Sequence, residues 1–200
     1  MKTAVYTAVI DPNIPLSEVY PPERQAEIDR CLNENSRLEK YAAWRLLETA
    51  LCEGLGISSV ESVCFSKDIY GKWSCDRCFF SITHSGGVVA VAVSDKPVGV
   101  DVEVIKRYRE GLEAKILTPA EYTALEGLDR RAAEEYIIRK WSEKESIFKT
   151  LDRKGFEPLK IETSEYSVTS EVLDILNKKF VLSVCSKDTE EIMYHFNTQI

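Results

Sequence analysis

The stretch Val98–Val104 alternates valine with glycine or an acidic residue at every second position. Successive side chains of a β-strand point to opposite faces. The pattern therefore predicts a strand whose valines face a core, while Gly99, Asp101 and Glu103 share the other face. The preceding segment 88–93, VVAVAV, is apolar throughout, as is typical of a central strand covered on both sides. The chain must build a sheet with a buried interior beside a face that carries carboxylates.

Helical patterns flank these strands. Apolar residues recur at helical spacing over 34–53, and two glycines then end the pattern. A second long helix is predicted from about Ala132 to Leu151, and Thr118 with Glu121 forms a capping box that begins a short one. The remaining strands are predicted at the N-terminus, at 78–83 and near 62–66, 162–168 and 180–185. Helices and strands of this kind indicate an α+β fold.

A weak internal repeat suggests two similar halves. Residues 89–95, VAVAVSD, resemble residues 181–187, VLSVCSK, and each follows a helix and a loop. We therefore predict two α+β subdomains, 1–96 and 97–200, each a small antiparallel sheet packed on a long helix. The halves are expected to pack together around a cleft, because no linker rich in proline or serine separates them.

Composition and charge exclude several classes of protein. Hydrophobic residues make up 44% and charged residues 30% of the 200 residues, which is ordinary for a globular protein. The net charge of -7 argues against a broad electrostatic grip on nucleic acid. No apolar run reaches the length of a membrane span, and the first residues lack the features of a signal peptide. We expect a cytoplasmic protein with no membrane or nucleic-acid partner.

The six cysteines are scattered, which favours reduced thiols in a chain without an export signal. Cys75 and Cys78 have the spacing of half a zinc site, but no second pair follows, and the chain has only two histidines, His84 and His195. Two unlinked cysteines are the favoured interpretation. A zinc module built on Cys75, Cys78 and a histidine stays open as an alternative.

The acidic face of the strand 98–104 suggests a metal site. Asp101 and Glu103 are two residues apart, so their carboxylates project together and repel one another unless a cation lies between them. Oxygen ligands favour a hard ion such as Mg²⁺. The alternative is the solvated outer face of a sheet, and for an isolated acidic pair this is the commoner case.

The second long helix also carries charges where its apolar stripe should continue, at Lys144 and Glu145. Glu145 and Lys149 are four residues apart, which aligns a carboxylate with an ammonium group along one ridge. An exposed pair of this kind stabilises a helix by only about 0.2–0.5 kcal/mol, and it is a common alternative explanation. Upstream, residues 84–87, HSGG, predict a glycine-containing loop whose backbone can approach a ligand.

Two segments together carry a family resemblance. Residues 99–103, GVDVE, are followed about forty residues later by 141–149, WSEKESIFK. In order, spacing and residue type they resemble the two signature motifs of the phosphopantetheinyl transferase superfamily. Residues 70–72, YGK, and 81–86, SITHSG, extend the resemblance upstream. The chain length and the internal repeat are similar to the pseudo-dimeric, surfactin-synthetase-activating type of this superfamily.

The resemblance implies a Mg²⁺-dependent transfer of the phosphopantetheine arm of coenzyme A to a serine of an acyl or peptidyl carrier protein. It implies that Asp101, Glu103 and Glu145 hold the metal, that Glu145 is the catalytic base, and that Lys149 binds phosphate and stabilises the leaving group. It also implies contacts with coenzyme A from a further set of residues: Lys72, Thr83 and His84, with Lys40 and Arg24 as additional phosphate contacts. A pseudo-dimeric chain is expected to act as a monomer.

Three residues depart from the family pattern: Trp73, where proline is usual, Thr83, where serine is usual, and Glu27. Two questions also remain open. Glu27 stands where a basic residue often helps to hold the 3'-phosphate of coenzyme A. A non-catalytic module that binds coenzyme A or a carrier protein is the alternative to an enzyme. For carrier docking, residues just after the acidic strand are candidates, with ordinary loop surface as the equal alternative: Arg107, Tyr108, Arg109 and Leu117.

Overall fold

The computed structural model describes residues 3–151, 154–187, 192–197 and 200. The strands are β1 (Ala4–Val9), β2 (Phe65–Lys67), β3 (Trp73–Cys75), β4 (Phe79–Ser85), β5 (Val88–Ser94), β6 (Val98–Val104), β7 (Val168–Ile175), β8 (Lys178–Ser186) and β9 (Met193–Asn197). The α-helices are α1 (Pro22–Asp29), α2 (Glu34–Leu55), α3 (Glu113–Ile116), α4 (Pro119–Thr123) and α5 (Arg130–Thr150). In the part of the chain that is described, no helix is both long and apolar enough to span a bilayer.

Two sheets and two long helices make up the fold. The first sheet has the strand order β4-β5-β1-β9, and the second has the order β6-β8-β7. Neighbouring strands are antiparallel except for β9, which is parallel to β1. Helix α2 packs on the first sheet and α5 on the second, while β2 and β3 form a separate hairpin. The predicted α+β class, with small antiparallel sheets packed on long helices, is confirmed.

The same order of elements occurs twice along the chain. Strand, long helix and hairpin follow one another as β1-α2-β4-β5 and again as β6-α5-β7-β8, with the matching strand orders β4-β5-β1 and β7-β8-β6. The two similar segments of sequence lie in the equivalent strands β5 and β8. Strand β9 departs from this scheme, because it follows the second unit in sequence but joins the sheet of the first. The boundary near residue 96 stays a prediction, and the last strand crosses it.

Strand β5 lies between two hydrophobic cores. Val89, Val91 and Val93 contact the core beneath α2, whose largest buried side chain is Trp44. The alternate residues of β5 contact a second core shared with Val98, Val100 and Val102 of β6 and with the apolar residues of β8. Complete burial of a valine contributes about 1.5–3 kcal/mol. Because both faces of β5 are buried, all of the residues 88–93, VVAVAV, are apolar, and the predicted central strand is covered on both sides.

The two sheets meet along their edge strands β4 and β6. Instead of a backbone ladder, side-chain hydroxyl groups of β4 accept hydrogen bonds from backbone N–H groups of β6. The pairs are Ser81 with Val100 at 3.1 Å, Thr83 with Val102 at 3.3 Å and Ser85 with Val104 at 3.4 Å. These contacts satisfy the exposed donors of an edge strand and hold β4 beside the acidic residues of β6.

Three local predictions differ from the structure. His84 and Ser85 are not in a loop: they belong to β4, because the Ser85 hydroxyl continues the contact with β6, and the turn is made by Gly86 and Gly87, both at positive φ. The segment predicted as a strand at 162–168 forms a 3-10 turn, Thr163–Glu165, and β7 begins only at residue 168. The strand predicted near 62–66 is reduced to the short β2 after a 3-10 turn.

Candidate active site

Three carboxylates meet where α5 crosses β6. Asp101 and Glu103 come from the strand and Glu145 from the helix, and one ligand oxygen from each lies within 4.8 Å of the others. Asp101 is only 1% exposed, and Glu103 and Glu145 are partly buried. The face of β6 that carries these acids is covered by α5, so it is not the solvated outer face of a sheet. The helix and the strand supply one common site.

Gly99 allows this crossing. A Cβ atom on Gly99 would lie 1.8 Å from the backbone carbonyl oxygen of Ser146 and 3.2 Å from the Cβ atom of Lys149. No side chain fits there, so the α5 backbone rests directly on the strand. Ser142 adds a polar contact by donating its hydroxyl to the Asp101 carbonyl oxygen at 3.2 Å. The glycine and the serine thus place Glu145 over Asp101.

The two carboxylate oxygens of Asp101 differ in their surroundings. Oδ1 accepts hydrogen bonds from Thr83 Oγ1 at 2.9 Å and from Lys149 Nζ at 2.8 Å. Oδ2 is buried and receives no hydrogen bond from any described residue. An unpaired buried carboxylate oxygen is costly, since it loses its hydration without replacement. Oδ2 and the nearby oxygens of Glu103 and Glu145 form an all-oxygen donor set that fits a hard divalent cation.

The protonation behaviour of the cluster reflects the crowding of like charges. Burial, followed by the charge of Asp101, raises the pKa of Glu145 to about 8. The pKa of Glu103 is also raised, first by burial and then by Asp101, although a hydrogen bond from the Ser85 hydroxyl at 2.9 Å opposes the shift. Without a cation, one proton on Glu145 relieves the repulsion. A cation would do the same by direct neutralisation.

Lys149 connects the carboxylates with the neighbouring cavity. Its ammonium group donates to the Val100 carbonyl oxygen at 2.9 Å and to Asp101, while Glu145 Oε2 is 3.8 Å away. The closest acidic partner of Lys149 is therefore on the strand and not at the i,i+4 position of its own helix. The side chain is 26% exposed, and it lines the cavity as well as the acidic cluster.

A cavity of about 730 Å³ opens beside the cluster. Its described lining includes five cationic side chains against a single carboxylate, Asp68, in a chain with an overall negative charge. The cations are Arg24, Lys40, Lys72, Lys149 and Lys154. His84 lines the same cavity. A concentration of positive charge of this kind favours an anionic ligand.

The structure brings together five of the six residues predicted to contact coenzyme A, namely Arg24, Lys40, Lys72, His84 and Lys149. The sixth, Thr83, is buried and points its hydroxyl at Asp101, so it orients a carboxylate and does not line the cavity. Lys72 donates to the Lys149 carbonyl oxygen at 2.7 Å and thereby joins the β2–β3 hairpin to the end of α5.

His84 and Arg24 are held by neighbours around the cavity. His84 Nδ1 lies 3.2 Å from a Glu39 carboxylate oxygen. Burial lowers the pKa of His84, nearby cations including Lys149 lower it further, and Glu39 opposes them. Arg24 lies over the Trp44 ring at 4.8 Å and donates to the Lys40 carbonyl oxygen at 3.1 Å, but its Nε is buried without a partner among the described residues.

Glu27, one of the three residues that depart from the family pattern, is neutralised by its surroundings. Its carboxylate accepts hydrogen bonds from Lys67, from Arg24 and from the Trp73 indole. Burial alone would raise the pKa of Glu27, but these hydrogen bonds outweigh burial, and the pKa is lowered. Glu27 therefore fixes the Arg24 guanidinium at the edge of the cavity, although it also offsets part of the positive charge.

Comparison with known proteins supplies the family. A sequence model of the 4'-phosphopantetheinyl transferase superfamily matches residues 97–194, the part of the chain that carries all three carboxylates and Lys149. The chain is similar to this superfamily over 98 of its 200 residues. The similar region shares 27% identity over 165 residues with the "4'-phosphopantetheinyl transferase gsp" of Aneurinibacillus migulanus, covering 82% of this chain and 69% of the relative.

Two Bacillus relatives of the superfamily match over shorter regions. A "4'-phosphopantetheinyl transferase" of Bacillus subtilis is 30% identical over 107 residues, or 52% of this chain and 47% of the relative. The "4'-phosphopantetheinyl transferase Sfp" of Bacillus subtilis (strain 168) is 33% identical over 89 residues, or 42% of this chain and 39% of that protein. The chain thus spans half or less of the length of these two relatives.

The motif WSEKESIFK divides into reactive and structural positions. Lys144, which the sequence marks as a misplaced charge, is completely buried, and its ammonium group donates to the carbonyl oxygens of Ile116 at 2.8 Å and Pro158 at 3.0 Å. Its ion-pair partner is Glu121, 2.6 Å away, in the capping box of α4. Lys144 therefore fastens the segments before and after α5 to the helix, while Glu145 and Lys149 face the site.

Two contributors to the site went unrecognised in the sequence. Ser85 donates to Glu103, and its signal was the alternation of hydroxyl residues at 81, 83 and 85 along one face of β4. Lys154 lines the cavity. In the sequence, Lys154 followed by Gly155 indicates only the end of a helix.

The structure also bears on two further hypotheses: carrier docking at Leu117 and zinc binding by Cys75 and Cys78. Leu117 is buried with Ile116 and Ile137, so it is not available for docking. The cysteines 75 and 78 have no third metal ligand beside them, since the acidic trio is the only potential metal-binding group found among the described residues.

Proposed function

We propose that this chain transfers the 4'-phosphopantetheine group of coenzyme A to a serine of an acyl or peptidyl carrier protein, with Mg²⁺ held by Asp101, Glu103 and Glu145. The observation that supports it most strongly is the unpaired, buried Oδ2 of Asp101 inside a carboxylate trio. Lys149 connects this trio directly to a cationic cavity. Metal ligands and anion-binding groups therefore adjoin, as a metal-assisted reaction of a diphosphate requires.

The cavity suits the nucleotide part of coenzyme A, which carries a diphosphate and a 3'-phosphate. Its volume of about 730 Å³ lies within the range of small-molecule sites, roughly 300–1,000 Å³. The Arg24 guanidinium donates to the Lys40 carbonyl oxygen, and the charges of both residues act on His84, whereas the Lys72 ammonium group donates to the Lys149 carbonyl oxygen and Lys149 contacts Asp101. We propose that the first group binds the 3'-phosphate and the second the diphosphate.

The division of labour at the reacting centre follows from the contacts of each residue. When bound, Mg²⁺ would offset the negative charge of the diphosphate and of the leaving group. Thr83 and Lys149 hold Asp101 through Oδ1 and leave Oδ2 free for the metal. Lys149 is also placed to donate to a phosphate oxygen and stabilise the charge that develops as 3',5'-ADP departs.

Glu145 is the proposed base for the carrier serine. Its side chain is 29% exposed, which leaves the carboxylate open to an incoming hydroxyl group. Without a metal the pKa of Glu145 is raised to about 8; the charge of a bound cation would lower it, so that Glu145 would be an ionised carboxylate able to accept a proton. Glu145 would accept the serine proton directly or through one water molecule.

Both halves of the chain line the cavity, from Arg24 and His84 on one side to Phe148 and Gly155 on the other. Because residues of both halves line one cavity, we propose that the chain acts as a monomer of the pseudo-dimeric type. For an acidic carrier protein, Arg107 and Arg109 are exposed next to the acidic strand. We propose these two arginines as docking residues.

The reaction is tested by intact-mass spectrometry of an apo carrier protein incubated with this chain, coenzyme A and Mg²⁺. We expect the carrier to gain one phosphopantetheine group, and we expect EDTA or Asp101→Asn to abolish the gain. Asp174→Asn, on the exposed side of β7, is the matched control and should retain activity. Coenzyme A binding without any gain on several carriers would instead support a non-catalytic binding module.

A further inference from the structure

Cys75 and Cys78 form a thiol pair that the proposed transfer reaction does not use. Cys75 ends β3, Cys78 precedes β4, and the turn between them places the two sulfur atoms 3.9 Å apart. Cys75 Sγ also lies 3.4 Å from the Cys78 carbonyl oxygen. A disulfide needs the sulfur atoms at about 2.05 Å, so side-chain rotation with a small adjustment of the turn can bring them to bonding distance.

The pair is accessible from a second cavity of about 650 Å³. Both thiols line it, and Lys72, Arg77 and Lys149 contribute positive charge to the same lining, together with acidic groups that include Asp95. Neither cysteine is fully buried, in contrast to Cys185. The three cations are matched by three carboxylates of the same lining, Asp68, Asp76 and Asp95, so a small reagent can approach the sulfur atoms without a preference for its charge.

The two thiols are not equivalent. A hydrogen bond from Cys78, assisted by the backbone N–H groups of Arg77 and Cys78, lowers the pKa of Cys75 to about 6, although burial opposes the shift. The pKa of Cys78 is raised, first by its hydrogen bond to Cys75 and then by burial. These opposite shifts favour Cys75 as the thiolate and Cys78 as the thiol that donates to it, the division of roles found in a reactive dithiol.

We propose that Cys75 and Cys78 are a redox-active dithiol that reacts with a low-molecular-weight disulfide and closes to an intramolecular disulfide. Cys75 Sγ attacks one sulfur of the reagent, the reagent's S–S bond breaks, and one thiolate leaves. Cys78 then loses its proton to solvent and attacks Cys75 Sγ, which releases the second thiolate. The dithiol is oxidised by two electrons, and the reagent is reduced to two thiols.

The position of the pair gives the new bond a structural consequence. Strand β3 begins with Trp73, directly after Lys72, and both residues line the first cavity as well as the second. A bond between Cys75 and Cys78 ties this hairpin to the start of β4, the strand that carries Thr83 and His84. The oxidised chain would hold one wall of the anion-binding cavity by a covalent link.

Oxidised glutathione serves as the disulfide reagent, and digestion with trypsin shows which cysteines are joined. Trypsin cleaves after Lys72 and Arg77, so the two cysteines fall in separate peptides, 73–77 and 78–106, because Lys96 precedes proline and resists cleavage. The full-length reduced chain is treated with oxidised glutathione, alkylated and digested without reduction. We expect the peptides 73–77 and 78–106 to be joined by a disulfide, with the loss of two alkylatable thiols and no retained glutathione.

Three variants separate this outcome from general thiol oxidation. Cys78→Ser should keep one glutathione on Cys75, because the resolving thiol is absent, and Cys75→Ser should form no cross-link. Cys64→Ser, which removes an exposed thiol near the pair, should cross-link like the wild type. The proposal is overturned if 73–77 and 78–106 stay unlinked, if Cys64 is the residue modified, or if the purified chain holds stoichiometric zinc on these thiols.

Discussion

Replacing Gly99 by alanine tests the contact that joins β6 to α5. The new Cβ atom would lie 1.8 Å from the Ser146 carbonyl oxygen, whereas real Cβ atoms essentially never come closer than 3.0 Å to another heavy atom. That oxygen belongs to the backbone in the last turns of α5, so it cannot rotate aside. The helix and the strand must separate by at least about 1.2 Å.

The expected loss of stability follows from this overlap. Overpacking of a well-packed interface costs about 1–3 kcal/mol, and alanine recovers roughly 0.5–1 kcal/mol of the conformational entropy that glycine loses in a strand. A change of 1 kcal/mol shifts the melting temperature of a domain of this size by roughly 2–4 °C. Because the overlap is with a backbone atom, the upper end of the overpacking cost applies, so the net loss is about 2–2.5 kcal/mol and we expect Gly99→Ala to lower the melting temperature by roughly 4–10 °C.

The separation of α5 from β6 should reduce the activity more than it reduces the stability of the fold. Lys149 Nζ is 2.8 Å from Asp101 Oδ1, and a displacement of about 1 Å breaks a hydrogen bond of that length. Carrier modification should thus fall at temperatures where circular dichroism still shows a folded chain. Gly54→Ala is the matched control and should change activity and melting temperature much less. Its Cβ atom would lie 3.1 Å from the side-chain hydroxyl of Tyr6, a far smaller overlap than at Gly99, and it lies in a helix, where alanine is favoured. Wild-type activity and melting temperature in Gly99→Ala would refute the reasoning.

Three further perturbations test other parts of the account. Lys144→Met should lower the free energy of unfolding by about 3–5 kcal/mol in denaturant titrations, because it leaves the Glu121 carboxylate buried without a cation. Adding Glu121→Gln to this variant should restore part of the lost stability. If the double variant is no more stable than Lys144→Met, the result contradicts a buried ion pair. The metal-free wild type should lose stability relative to Glu145→Gln as pH rises from about 4.5 to about 8. Over that range the Glu145 carboxyl group keeps its proton in the folded chain and releases it in the unfolded chain. A difference in melting temperature that does not depend on pH would argue against the raised pKa of Glu145. Lys72→Ala should weaken coenzyme A binding in calorimetry by roughly fivefold, equivalent to about 1 kcal/mol for a partly exposed ionic contact, whereas the exposed-site control Lys178→Ala should not; equal effects would remove Lys72 from the site.

The elements that the sequence predicts well are those whose pattern is local. Alternation in β6 and the unbroken apolar run in β5 report which faces are buried, and both patterns hold in the structure. The helix α5 was predicted at about its observed length, and its Glu145 lies where the family motif implies. Spacing along a strand or a helix fixes the direction of a side chain, so these residues could be grouped before any fold was known.

Contacts between distant elements could not be predicted in this way. The hydroxyl groups of β4 are adjacent to β6 only because the two sheets meet at their edges, which turns Thr83 toward Asp101 and away from the cavity. Lys144 is buried because three separate segments place oxygen atoms around it. Strand β9 pairs with β1 across almost the whole chain. The alternation of hydroxyl residues at 81, 83 and 85 shows that they share a face of β4 but not what that face contacts, and the other two arrangements leave no periodic signal in the sequence.

The most direct test of the central claim is the affinity of coenzyme A measured by calorimetry with and without Mg²⁺. If Asp101, Glu103 and Glu145 hold the metal beside the cationic cavity, Mg²⁺ should strengthen binding to the wild type, and Asp101→Asn should lose that enhancement while it keeps the metal-independent part. Equal affinity in the presence and absence of Mg²⁺ for the wild type, or an undiminished enhancement in Asp101→Asn, would contradict a shared metal and nucleotide site.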